Sequence, residues 1–444
     1  MKLNFHKKLI KLKTLIKTWS RRILTPIGRI TLIKSLLLSQ FNHLFTSLPT
    51  PNEQFLQELN TIFFNFLWTS KVDKVKRDIT TQNYSEGGLK MVNVKLFIDS
   101  LKLSWVRRLL KKTCKWQIIF NSHTDLQKLS ICGSEYIDEC HVKCNNKFWK
   151  DVFRAWKKLN DSDSGREKIE RQTCALALPL WYNRSITIGG KPVFYKSWYN
   201  RGVTIINDLV KESGTVTFYT FQEFLEKYHI NVNFLQYQGL VSAVKAHLRR
   251  LNVGNQLLIY PTIPNNILLF MRNDEGTKNL YNIMIKNDLI STGRRKWEEL
   301  FEGFEFDWTN IYCNPFRATK NTKLQWFQYR IVQNILTTNS FLFKVGLVNN
   351  PICNLCNLER ETIIHILWEC RETQRFLQSV ETLLDALYIP FHYNKQIYLF
   401  GLFLNNRCST INRLDNEILI IIKFYIYKTR CLHKVLSIPG ICFN

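Results

Sequence analysis

Residues 353–370, CNLCNLERETIIHILWEC, constrain the fold more tightly than any other stretch of this 444-residue chain. The spacing is Cys353-x2-Cys356-x8-His365-x4-Cys370. Two thiolates separated by two residues sit on one knuckle and chelate a single ion, leaving a tetrahedral shell to be closed by one imidazole and one further thiolate. Soft sulfur with one nitrogen favours zinc. Helix geometry then dictates the second half. On an unbroken α-helix five residues at about 100° each put Cys370 about 140° around from His365. The two could not share an ion that way, so ETIIHILW is expected as a short helix ending near Trp368. Cys370 then falls on the break, before a new helix begins near Arg371. Four protein ligands leave no open position for an activated water, so one structural zinc is expected rather than a catalytic one. The competing reading is of ordinary buried thiols beside a surface histidine. A second group, Cys132, Cys140, His141 and Cys144, has poorer spacing and no clear second pair.

Charge sets the next constraint. Lys and Arg number 62 against 35 Asp and Glu, a formal net charge of +27, which raises the local concentration of phosphates and suits a polyanionic partner. The plainer alternative is a solvated basic surface. No acidic residue precedes Glu53, so the first fifty residues are a concentrated positive field. The 12 cysteines are dispersed over a long chain, and MKLNFHKKLIKLKTLIKTW has neither a continuous apolar core nor a small-residue cleavage site. An intracellular location, cytoplasmic or nuclear, is expected. The longest apolar run, EILIIIKFYIY, is broken by Lys423 and is shorter than the roughly 20 residues a membrane helix needs. No membrane partner is expected.

Hydrophobic periodicity gives a mainly α fold. Phe5, Leu9, Leu12, Ile16, Trp19 and Ile23 mark an amphipathic first helix that proline stops near Thr25-Pro26. Helical patterns follow from Gly28 to Leu48, over EQFLQELNTIFFNFLW, and over LFIDSLKLSWVRRLLKK with Gly87-Gly88 as a turn between. The expected organisation is a basic helical domain over 1–112, a connector over 113–145 and a mostly helical middle over 146–260. A linker over 261–278 and a helical domain over 279–444 with the zinc knuckle complete it. The middle region should hold a short hairpin around Gly189-Gly190 and a helix over VTIINDLVKES.

The run WSRRILTPIGRITLIK resembles the segment just after the polymerase palm in LINE-type, non-LTR retrotransposon reverse transcriptases. That family's W-x-x-R-x-L-x-x-x-G-R-I-x-x-I-K pattern is matched by Trp19, Arg22, Leu24, Gly28, Arg29, Ile30, Ile33 and Lys34, and its GGL by Gly87, Gly88 and Leu89. FKVGLVNNPIC followed by ETIIH resembles the zinc-binding domain at the end of the same polyproteins, where the ligands correspond to Cys353, Cys356, His365 and Cys370. PLWYNRSI and KSWYNRGVTIINDL resemble the linker between those parts. The resemblance implies a thumb-like grip on RNA or an RNA/DNA template-primer duplex. Candidate phosphate contacts are Arg21, Arg22, Arg29, Lys34, Lys71, Lys74, Lys76, Arg77, Arg107 and Arg108. Trp19, Trp68 and Trp105 are candidates for base stacking or, more simply, for the core.

No catalytic residue is expected. The family's palm holds two metal ions through paired aspartates, and this sequence contains no two adjacent aspartates. The reading is therefore a nucleic-acid-binding, zinc-containing C-terminal portion of such a polyprotein. One alternative is part of an active polymerase whose palm is encoded upstream or supplied in trans. Another is a protein-interaction module with a purely structural zinc.

Overall fold

The computed structural model describes residues 2–442, apart from 70–71, 112–114, 122–123, 126–127, 130–131, 162–174, 212–215, 252–275, 286–288, 390–393 and 403–408. The expected fold class holds: helices dominate, and the one two-stranded sheet among the described residues is the antiparallel hairpin Thr187–Ile188 with Lys191–Pro192, around Gly189-Gly190. Most of the expected linker 261–278 lies outside the described residues. Two compact units emerge. One comprises 1–8, 40–57 and 93–287; the other comprises 9–39, 58–92 and 288–444.

In the first unit, helix Val94–Lys111 packs against Lys147–Asp161 and Thr277–Met284. The core between them is rich in rings and branched chains, with Leu103, Val106, Trp149, Phe153 and Trp156 all buried. Lys102 is fully buried in this helix. Its ammonium donates to the carbonyl oxygens of Phe45 (2.7 Å) and Leu48, satisfying the end of helix Asn42–Ser47 where backbone acceptors run out of partners. Burial lowers its pKa to about 8 despite the nearby Asp151 and Asp99. A second core in the same unit gathers Trp181, Trp198, Phe224 and Tyr237. The stretch 113–145 carries helices Lys115–Asn121 and Ser134–Lys143.

The second unit positions the metal site. Helix Ser409–Cys431 packs against Thr322–Val332 and against the turn His365–Glu369, with Phe327, Ile331, Ile366, Leu367 and Ile426 buried among them. The Gly87-Gly88 turn is held here too. Gly87 adopts φ +80°, and its carbonyl accepts from Gln333 Nε2 (2.8 Å) and Tyr329 Oη (3.1 Å). A Cβ on Gly88 would lie 2.1 Å from the Gln82 carbonyl oxygen, so no other residue fits.

Two local expectations need correction. The first helix, Lys2–Ser20, stops short of Pro26, which instead begins the helix Pro26–Leu32 at the position where its missing N–H costs nothing. Ile23 therefore leaves the stripe and is fully exposed, whereas Phe5, Leu9 and Leu12 are buried. Among the described residues of VTIINDLVKES the helix is replaced by the 3-10 turn Ile206–Leu209, after which Val210 pairs in extended form with Phe218.

Candidate metal centre

Cys353 and Cys356 lie on a tight hairpin closed by the bridge between Ile352 and Arg360 and by Cys353 N–H donating to Glu359 O (2.8 Å). The reversal places Asn357 at φ +55°, and its N–H donates back to the Cys353 carbonyl at 2.9 Å. Asparagine is among the few residues with a side chain that tolerate this left-handed conformation readily. The two thiols thereby face one point.

His365 and Cys370 reach the same point by a wider turn than an α-helix. Residues His365–Glu369 form a π-helix, and the N–H of Cys370 donates to the carbonyl of His365 at 2.7 Å. An i→i+5 bond carries residue five nearly a full turn round, so Cys370 returns over His365 instead of facing away. The expected break follows at Cys370 (φ −59°, ψ 127°), and the next helix is Arg371–Ala386.

All four donor atoms lie within 4.8 Å of one another, and all four residues are buried. Cys356 Sγ is 3.4 Å from His365 Nε2. With zinc at about 2.3 Å from sulfur and about 2.0 Å from nitrogen, a tetrahedral shell sets such a pair about 3.5 Å apart. The donor set fits one structural zinc. His365 is oriented from behind, its Nδ1 lying 3.2 Å from Glu359 Oε2, which leaves Nε2 toward the ion. The Cys353 thiol donates to Cys370, and the backbone N–H groups of Thr373 and Glu372 at the start of the next helix add to this. Together they hold the Cys370 thiol below its ordinary range. Cys353 is pushed up by giving that bond and by burial.

A buried polar network backs the hairpin. Glu361, with no exposed surface, pairs with Arg430 through Nε (3.0 Å) and Nη2, and Arg430 also donates to Asn339 Oδ1 at 2.6 Å. Asn339 donates to the Ile352 carbonyl (2.6 Å), and the Asn354 N–H donates to Glu361 (3.2 Å). The last long helix and the short helix Asn339–Lys344 are tied in this way to the loop that carries Cys353. Sequence reasoning missed Glu359, Glu361, Asn339 and Arg430.

The rival cysteine group does not assemble: Cys140 Sγ contacts Thr124 Oγ1 at 2.7 Å. Among the described residues the quartet is the group placed to hold a metal.

The basic candidates divide. Arg21, Arg22, Lys34, Lys74, Lys76, Arg77 and Arg108 are exposed, while Arg29 and Arg107 are buried. Lys71 lies outside the described residues. Arg107 and Arg108 belong to the first unit and the other described candidates to the second. Arg77 is paired with Asp73 (2.8 Å) and lies over the Phe64 ring; Arg22 lies over Trp19. Trp68 is buried against Trp326, with ring centroids 5.9 Å apart, and so serves the core.

Residues 292–376 match the family described as zinc-binding in reverse transcriptase. The C-terminal part of the chain therefore carries a reverse-transcriptase zinc-binding region. The match starts with helix Thr292–Leu300, runs through Thr322–Val332, and takes in all four metal ligands before ending at Phe376.

Proposed function

We propose that this chain binds nucleic acid as the basic, zinc-stabilised part of a LINE-type reverse-transcriptase polyprotein, gripping an RNA or RNA/DNA template-primer duplex for a polymerase palm held in another segment. The observation that carries this reading is the company the zinc-binding region keeps. The region shares one compact unit with residues 9–39 and 58–92, which hold Arg21, Arg22, Lys34, Lys74 and Lys76 at the surface. The zinc closes the fold and performs no chemistry, since every coordination position is filled by protein.

The test is anisotropy of a labelled single-stranded RNA and of an RNA/DNA duplex, titrated with the purified chain over a range of salt. Affinity is expected to fall steeply with salt, the slope growing by about 0.7 per neutralised phosphate on a single strand. A flat dependence would remove the reading. Primer extension by the chain alone would overturn the placement of the palm elsewhere.

A further inference from the structure

Trp116 stands apart among the 12 tryptophans of this chain: it alone is exposed, at 52%. It lies on the short helix Lys115–Asn121 of the first unit and meets the half-buried Trp105 of helix Val94–Lys111, with ring centroids 5.6 Å apart and planes at 80°. Trp105 is fixed in turn. Its Nε1 donates to the Thr46 carbonyl (2.9 Å), and the rings of Phe148 and Trp149 meet it edge-to-face at 5.5 and 6.0 Å. The exposed Arg108, one helical turn on, lies over the Trp105 ring at 5.0 Å. Among the described residues no carboxylate is within ion-pair distance of Arg108.

A single apolar side chain at a surface calls for no explanation, but this one is set on a rigid support. An edge-to-face pair occupies at most one face of either ring. Among the described residues no other ring meets Trp116, so an indole face is left to solvent. The charge around it has one sign. From Ser100 to Thr124 no acidic residue occurs, while Lys102, Arg107, Arg108, Lys111, Lys112 and Lys115 do. Lys102 and Arg107 are buried; Arg108 and Lys115 are exposed. A flat ring beside exposed cations suits a nucleotide, since every base has a π-face to stack and every phosphate a charge to neutralise. A protein partner would want a contiguous apolar patch. Ile118, exposed on the same helix, lies about 200° around from Trp116, so the two do not form one.

We infer that Trp116, backed by Trp105 and flanked by Arg108, is a stacking site for an unpaired base of single-stranded nucleic acid, with Arg108 at the adjoining phosphate. The inference rests on the nucleic-acid reading and deepens it by giving the first unit a contact and a preference of its own: a base stacked within a duplex has no free face to offer Trp116. Trp105, a stacking candidate by sequence, is the support rather than the platform.

Anisotropy of a labelled single-stranded RNA, and of an RNA/DNA duplex of the same sequence, tests the site in the full chain over a range of salt. Trp116→Ala should weaken single-strand binding by about fivefold to 150-fold while leaving the salt slope and the duplex affinity as in wild type. Trp116→Leu keeps apolar bulk against Trp105 without a π-face and should behave as Trp116→Ala; Trp116→Phe should recover most of the affinity. Arg108→Gln should lower the slope by about 0.7. Ile118→Ala, which removes another exposed apolar side chain, should change nothing. If wild type binds and Trp116→Ala binds the single strand equally well, or Trp116→Leu matches Trp116→Phe, the stacking site is overturned while the function stands. Equal loss on single strand and duplex would mean that Trp116 serves the fold, and overturns the site too. If wild-type binding is flat in salt yet is lost in Trp116→Leu and kept in Trp116→Phe, the site stands and the basic grip falls. Failure of wild type to bind either probe ends both.

Discussion

Glu359 is a surface residue by exposure, yet its carboxylate fixes which nitrogen of His365 meets the metal. Removing such a support leaves the ligand set intact and loosens it. Glu359→Gln should weaken zinc binding about tenfold or more, measured by competition with a chromophoric chelator, whereas Cys353→Ser should abolish stoichiometric zinc. Equal affinity of Glu359→Gln and wild type would refute the orienting role. Farther back, Arg430 and Glu361 form a nearly dry pair. Truncating one partner strands the other, so Arg430→Met should cost about 3–5 kcal/mol in urea unfolding of the zinc-loaded chain, and the double change with Glu361→Gln should recover part of that. Strict additivity would mean the two are not coupled. The ligand quartet was legible because three cysteines and a histidine crowd into 18 positions. Glu359 was not, since neither of the two glutamates in LERE carries a mark, and a pair 69 residues apart leaves no local pattern.

The elements that could be read were those whose apolar face repeats. EQFLQELNTIFFNFLW is helical over its full span, Glu53–Trp68, and buries Leu56, Leu59, Phe63 and Leu67 on one side. Helix Trp308–Ala318 escaped because it contains Pro315, which sequence rules treat as a breaker. The π-turn at His365 escaped for another reason. Sequence demanded that His365 and Cys370 meet and supplied a break to achieve it, but the extra residue in the turn is a backbone choice, held by Cys370 N–H donating to the His365 carbonyl (2.7 Å) and by Thr373 Oγ1 donating to the Ile366 carbonyl (2.8 Å). At this scale Lys102 also makes a pH prediction. Its folded pKa, about 8, lies below the unfolded value of about 10.4. Between those limits the unfolded chain keeps a proton that the folded one releases, so this lysine's contribution makes stability rise with pH, by at most about 1.4 kcal/mol per pH unit. Relative to Lys102→Met, wild type should gain stability from pH 8 to 10 in urea titrations. Parallel profiles would show that the ammonium is not desolvated.

At the scale of the whole molecule the chain is not partitioned by sequence order. Residues 1–112, read as one basic domain from their composition, contribute to both units, with the division falling inside the helices Lys2–Ser20 and Glu53–Trp68. Composition cannot see this, because a continuous amphipathic stripe looks the same whichever core it enters. The consequence concerns zinc. The first unit has its own cores around Trp156 and around Trp198, neither of which involves a metal ligand. The second unit joins the knuckle to its main core through Ile363, Ile364, Ile366 and Leu367, and to the last long helix through Arg430. Structural zinc contributes an apparent ~10–16 kcal/mol when its ligands fold around it, so its removal should be felt mainly where those residues lie. After chelation, hydrogen exchange should accelerate across the Asn339–Lys344 helix, the knuckle and Arg371–Ala386, while Phe234–Arg250 keeps its protection. Uniform acceleration would mean that the units unfold together and that zinc governs both. Unchanged exchange around the knuckle would mean that the buried core and the Glu361–Arg430 pair hold the hairpin without the ion.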